Sequence, residues 1–197
     1  MADRSSSRRE SIIQAALGCF AQHGVEATTI DMIRAASGAS TGSLYHHFGN
    51  KERIAAEVYL EGLRRFRVLQ GEYLARADNL RDGIRAIVHA HVDWICANPD
   101  WASFLFNHRV VLAEAAAEPE MRADADLQAG MRQVADWIRA RSASGDDLPW
   151  PLEAYAALIA GPVHDYARHW LAGRRAVSLR ELRDFFADAA WRAVAIE

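Results

Sequence analysis

An all-helical protein is what residue usage and periodicity predict for this chain. Ala, Leu, Arg and Glu dominate, while threonine occurs only three times, at Thr28, Thr29 and Thr41, so helix is favoured nearly everywhere. Apolar residues recur at spacings of three and four along most of the 197 positions, and no segment reads as a convincing strand. Apolar residues make up 51% of the chain, which excludes a fully disordered protein and supports a buried core.

The chain opens on MADRSSSRRE, whose Arg4, Arg8 and Arg9 read as a solvated basic arm within reach of phosphates or a minor groove. Leu17 and Phe20 supply the first core contacts. From Thr28 to Glu52 the sequence spells two short helices joined by a tight turn, then the start of a third. Thr28 is placed to cap the first, with Asp31 three residues on as its capping-box partner and Ile30, Met32 and Ile33 as its apolar side. Gly38 provides the permissive backbone for the turn, and Ser40 is placed to cap the second helix, whose first turn holds Thr41, Gly42 and Ser43. Leu44 and Phe48, four apart, mark its buried side, with Tyr45, His46 and His47 divided between packing and an external surface. Asn50 then caps the following helix. Lys51 stands in that helix's first turn, where a cation opposes the helix dipole, so an external phosphate is the expected partner. This is the grammar of a helix-turn-helix that places the start of its second helix against base edges.

The run Ser40, Gly42, Leu44, Tyr45, His47, Phe48, Lys51 and Glu52 follows the pattern S-x-G-x-L-Y-x-H-F-x-x-K-E, and on it the segment resembles the DNA-binding head of the TetR family of transcriptional regulators. Ala39 departs from the pattern where the family often has Val, which trims a core contact and leaves the readout positions alone. The resemblance implies that Tyr45, His47 and Lys51 contact phosphates and that Thr41, Gly42, Ser43 and His46 lie closest to base edges. With Thr29 and Ser40 at the helix starts, these residues form the set expected to meet double-stranded DNA. The motif covers only the first quarter of the chain.

Behind this head, about residues 1–50, a helical body at 51–197 is expected, for about nine helices in all. Ile54, Val58, Gly62, Phe66, Leu69 and Tyr73 mark one amphipathic helix from Lys51 to near Arg76, about 39 Å long, able to join body to head. A second runs from Asn79 to before Pro99 with Leu80, Ile84, Ile87, Val88, His91, Val92 and Ile95 along one side. Helices at Trp101 to Ala115 and Pro119 to Ala140 follow, then a loop at Ser142 to Pro151 that contains Gly and two prolines. Two more span Leu152 to Ala172 and Leu179 to Val194, the latter opened by a capping box of Ser178 and Glu181. Both carry apolar residues on more than one side. Tyr155, Ile159, Val163, Trp170, Leu182 and Phe186 are therefore expected to meet a second copy in a four-helix interface, in agreement with the way the resembled family dimerises. A two-fold axis would set two heads on a palindrome with half-sites about 34–36 Å apart.

Phe66, Trp94, Trp101, Phe104, Phe106 and Trp137, with His91 and His108 as polar handles, make the middle helices aromatic-rich. The resemblance implies a small-molecule pocket among them, and Phe66, His91, Phe104 and His108 are the expected lining for a small, largely apolar or aromatic effector. Effector binding that favours the wrong head separation would then release DNA.

Charge adds little. Residues 1–51 carry five cationic and four anionic side chains, net +1, against −4 for the rest, so binding is expected to rest on a few placed contacts and on dimerisation. Cys19 and Cys96 fall in different helices and read as reduced, buried thiols. No apolar run reaches eighteen residues and the opening lacks a signal-peptide core, so a soluble, cytoplasmic protein is expected. His89 and His91, two apart, and His164 and His169, five apart, are poorly spaced for one ion, and Asp146-Asp147 lacks further carboxylates, so neither metal nor cofactor is expected. With no Gly-rich phosphate loop and no Cys-x-x-Cys pair, catalysis is not expected either. The competing reading is a helical enzyme or protein-docking adaptor that keeps the head fold without binding DNA.

Overall fold

The computed structural model describes residues 2–112, 124–141 and 150–195, and every regular element among them is a helix. In chain order these are α1 (Ala2–Ala27), α2 (Ile30–Ser37), α3 (Thr41–His47), α4 (Lys51–Leu74), α5 (Leu80–Ala97), α6 (Pro99–Leu112), α7 (Ala125–Arg141), α8 (Leu152–Leu171) and α9 (Arg183–Val194). Nine described helices agree with the sequence reading. The expected helix start at Pro119 and most of the expected loop, with Asp146-Asp147, lie outside the described residues.

Two compact units divide the chain, one holding residues 1–62 and 100–123, the other 63–99 and 124–197. In the first, Ile12, Ile13, Ala16, Leu17 and Phe20 of α1 close over Ile33 of α2, Leu44 of α3 and Ile54, Ala55 and Val58 of α4, all buried. Burial of side chains of this size contributes about 1.5–3 kcal/mol each, so seven-residue α3 owes its helicity to Leu44 and Phe48 docking in this core. The opening arm is helical from Ala2, with a break at Gly24, whose φ of 79° and ψ of 161° lie outside the helical range. Arg9 pairs with Glu57 of α4 and sits over the Phe48 ring, 5.8 Å from its centroid, so it is an internal tie and not part of a free basic arm. Phe104 of α6 stacks on Phe20 at 5.5 Å, and the ring of Trp101 fills the space where Gly62 has no Cβ.

In the second unit α5 is central. Ile84, Ile87, Val88, Ala90, His91, Val92, Trp94 and Ile95 are buried on several of its sides, because α9, α8 and α7 pack around it. Asn79 caps α5 by accepting from the Asp82 N–H at 3.0 Å. The start of α9 departs from expectation. Ser178 accepts from the Arg180 N–H and residues 179–182 form tight i,i+3 turns, so the Ser178–Glu181 capping box does not form and the helix begins at Arg183. Arg183 is fixed there by Asp93 of α5, a constraint ninety residues away that local cap rules do not contain. No described helix is long and apolar enough to cross a membrane.

Candidate nucleic-acid interface

The helix-turn-helix is built by local chemistry that the sequence mostly states. Thr29 caps α2, accepting from the Met32 N–H at 3.2 Å. This shifts the cap by one residue from Thr28, whose buried hydroxyl instead donates to the Gly24 and Cys19 carbonyls at 2.7 and 3.2 Å. The Gly24 carbonyl also accepts from the Thr28 N–H at 3.2 Å, so Thr28 ties down the end of α1 while Thr29 opens α2. Gly38 ends α2 in the left-handed region at φ 64°, and the Ala39 N–H finds the Ser37 hydroxyl at 3.2 Å. Ser40 accepts from the Ser43 N–H at 3.1 Å and caps α3; Asn50 accepts from the Arg53 N–H at 2.8 Å and caps α4.

With Leu44 and Phe48 turned inward, the opposite side of α3 faces outward. Thr29, Ser40, Thr41, Gly42, Tyr45 and His46 are exposed, Tyr45 by 55%, and Ser43, His47 and Lys51 are half-buried. A large aromatic phenol left out of the core beside small polar residues is what a surface made to meet another molecule requires. The His47 ring lies against those of His46 and Phe48, at 5.3 and 6.0 Å. Lys51 has an internal partner: Nζ donates to the Glu26 carbonyl at 2.9 Å. The cation that opposes the dipole at the start of α4 thus satisfies the carbonyl end of α1.

Gly38-Ala39-Ser40-Thr41-Gly42 has the Gly-x-Ser-x-Gly spacing of a hydrolase nucleophile turn, but that motif works only between a strand and a helix. Here it joins two helices, and the Ser40 oxygen is engaged as a cap.

The remaining expected site residues fall in different places. Phe66 and His91 come together in the second unit with ring centroids 4.5 Å apart, Trp94 lies 5.6 Å from Phe66 and His164 lies 4.9 Å from His91. Phe104 belongs to the first unit, where Phe20 occupies its face, and the side chain of His108 lies outside the described residues. His91 donates from Nδ1 to the Ile87 carbonyl at 2.8 Å, and burial together with nearby His164 pushes its pKa down to about 3. Sequence reasoning passed over Arg67 beside this cluster. Its Nη1 donates to Oε1 of buried Gln70 at 2.6 Å, and its Nε is buried without a partner among the described residues. An Arg three residues before a Gln on an amphipathic helix carries no signal that both are covered.

Of the residues expected at a dimer interface, Ile159, Val163 and Phe186 lie in the chain's own core. Tyr155, Trp170 and Leu182 are half-buried. The large apolar side chains that α8 and α9 leave exposed are Leu158 and Phe185. Both cysteines are half-buried and free.

Residues 12–58 match the family of bacterial regulatory proteins called tetR. Over 52 residues the chain is 40% identical to the HTH-type transcriptional repressor AcnR of Corynebacterium glutamicum, which covers 26% of this chain and only 28% of that protein. A longer match, 28% identical over 163 residues, links 72% of the chain to 84% of AcnR of Corynebacterium diphtheriae. The fold is shared with the crystal structure of a TetR family transcription regulator from Marinobacter aquaeolei VT8, at a TM-score of 0.77 and 20% identity over the whole of both chains. Family model and head sequence match residues 12–58 to the tetR family of bacterial regulatory proteins, and the all-helical fold of the chain is the one seen in a TetR family transcription regulator.

Proposed function

We propose that the chain is a sequence-specific DNA-binding transcriptional repressor, a homodimer released from a palindromic operator by a small, largely apolar or aromatic effector. The observation that carries this is the outward face of α3, where Thr41, Gly42, Tyr45 and His46 are exposed while Leu44 and Phe48 hold the helix from behind. The repressor names of the relatives support the same reading. Ser40, Tyr45, His47 and Lys51 would position the head on phosphates, and Thr41, Gly42, Ser43 and His46 would read bases, with Thr29 supporting from α2. Residues 1–50 would serve DNA, and 51–197 the effector and the second copy, through a face that includes Leu158 and Phe185 on α8 and α9. Phe66 and His91 are the effector-contacting residues of choice. Such a protein would work in the cytoplasm and catalyse nothing.

Fluorescence anisotropy on the intergenic DNA beside the chain's own gene, against scrambled DNA across a salt series, tests this. Selective binding at two chains per site supports the repressor. Equal weak binding to both DNAs, with no sequence recovered from a random-sequence selection, would transfer support to the adaptor reading. A monomer by light scattering at micromolar concentration would remove the dimer.

A further inference from the structure

We infer that the effector is a carboxylic acid on an apolar frame, its carboxylate held by Arg67; the inference rests on the effector-responsive reading above and narrows its chemistry. Four other half-buried arginines among the described residues are matched by carboxylates: Arg9 by Glu57, Arg64 by Asp124, Arg85 by Asp184 and Asp188, and Arg183 by Asp93. Arg67 breaks this rule. A guanidinium offers five N–H donors, and the partner described for this one is the neutral amide oxygen of Gln70, itself buried. Nε has no partner, and no carboxylate among the described residues offsets the burial. A covered cation that lacks a counter-ion is costly to a fold unless something else supplies the anion.

Its surroundings define that anion. The guanidinium carbon lies 5.5 Å from the Phe66 ring, whose other neighbours are His91 and Trp94. His91 donates its Nδ1 proton to the Ile87 carbonyl and so leaves the Nε2 lone pair as an acceptor. A buried imidazole that stays neutral cannot share the role of cation, so Arg67, and not His91, is the group that would meet an anion beside the Phe66 ring. One guanidinium edge, Nε with an Nη, matches a planar monoanionic carboxylate through two parallel hydrogen bonds. A phosphate dianion would leave charge uncompensated among aromatic rings. Gly130 of α7 approaches the stem of Arg67 so closely that a Cβ there would stand 3.1 Å from the Arg67 Cβ, so α7 is the element that covers the side chain.

The test uses the full chain and a matched probe set: decanoate and phenylacetate, their primary amides, and octyl phosphate, read by calorimetry and by release of operator DNA. The carboxylates should bind at least tenfold more tightly than their amides. Arg67→Lys should weaken them about tenfold while keeping the preference, and Arg67→Met should abolish it. Without any probe, Arg67→Met should raise Tm by about 2–4 °C, since it removes an uncompensated charge at similar length. A lowered Tm in Arg67→Met would make Arg67 a structural residue and overturn the inference. Equal binding of acids and amides, or tighter binding of octyl phosphate, would also overturn it. If amides bind equally and still release DNA, the effector reading survives and only the carboxylate falls. If no probe binds, the inference fails; loss of selective DNA binding is the separate result that sinks the repressor.

Discussion

Arg183 clasps Asp93 with two guanidinium nitrogens, Nε at 3.0 Å and Nη2 at 2.8 Å from Oδ2, and Tyr73 donates its hydroxyl to the same oxygen at 2.7 Å. One half-buried carboxylate thereby ties the start of α9 and the last turn of α4 to α5. Burial alone would raise the Asp93 pKa, but the bonds from Arg183 and Tyr73 outweigh it and hold the group below the usual carboxylate range. Because the folded state then binds fewer protons than the unfolded state, this contribution is present above the ordinary carboxylate value and fades as pH falls through the folded one. Asp93→Asn should cost roughly 1–3 kcal/mol at pH 7 in urea unfolding. The gap from wild type should narrow below about pH 4; an equal gap at pH 3 and pH 7 would contradict the assignment.

His91 predicts a second acid sensitivity in a higher window. Its pKa falls from an ordinary 6.5 to about 3 in the folded protein, chiefly through burial. Between those values the unfolded chain binds the extra proton, so stability is full above about 6.5 and declines as pH drops toward 3. His91→Asn keeps a donor for the Ile87 carbonyl and removes the titration. Its stability, whatever its absolute level, should be flatter than wild type between pH 6.5 and 4. A parallel decline in both proteins would assign the sensitivity to other groups.

Close packing between α5 and α7 gives a prediction of opposite signs at two glycines. A Cβ on Gly83 would lie 1.9 Å from the Trp137 ring, whereas one on Gly18 in α1 meets nothing within 4 Å. Gly83→Ala should destabilise by about 1–3 kcal/mol, despite better helix propensity, because the indole must leave its seat. Gly18→Ala should stabilise by about 0.5–1 kcal/mol. Urea unfolding of both variants decides, and a stabilised Gly83→Ala would show that the Trp137 contact is dispensable.

What the sequence revealed and concealed divides along one physical line. Gly38, Ser40 and Asn50 were legible because turn and cap chemistry acts over three or four residues, and Leu44 and Phe48 because their spacing sets a helix face. Thr28 and Thr29 were confused because either hydroxyl suits a cap, and only the helix break at Gly24 decides between them. Arg9 and Lys51 looked like free cations because their partners, Glu57 and Glu26, stand 48 and 25 residues away. On α8 and α9, periodicity shows that several sides are apolar but not which side the chain keeps for itself, so Ile159, Val163 and Phe186 were assigned outward while Leu158 and Phe185 are the exposed ones. The buried Nε of Arg67, without a hydrogen-bond partner among the described residues, is likewise a property of burial, which no local pattern encodes.

The exposed face of α3 supports a prediction that separates DNA contact from folding. Gly42 has no positive φ, and a Cβ there would meet nothing within 4 Å, so the fold does not require glycine at this position. Gly42→Ala should leave Tm unchanged or higher, yet lower affinity for operator DNA at least tenfold if a base edge approaches that backbone. Tyr45→Phe removes a hydroxyl from a largely exposed side chain and should weaken all DNA sequences alike by about 1 kcal/mol, as loss of a phosphate contact does. Lys51→Met differs, because Nζ already serves the Glu26 carbonyl. If that bond is its whole role, stability falls by about 0.5–1 kcal/mol and the dependence of affinity on salt is unchanged. If Lys51 also reaches a phosphate, the salt slope drops by about one unit. Anisotropy over a salt series, run beside thermal melts of the same three variants, reads both quantities. Unchanged DNA affinity in Gly42→Ala and Tyr45→Phe would remove α3 as the reading element.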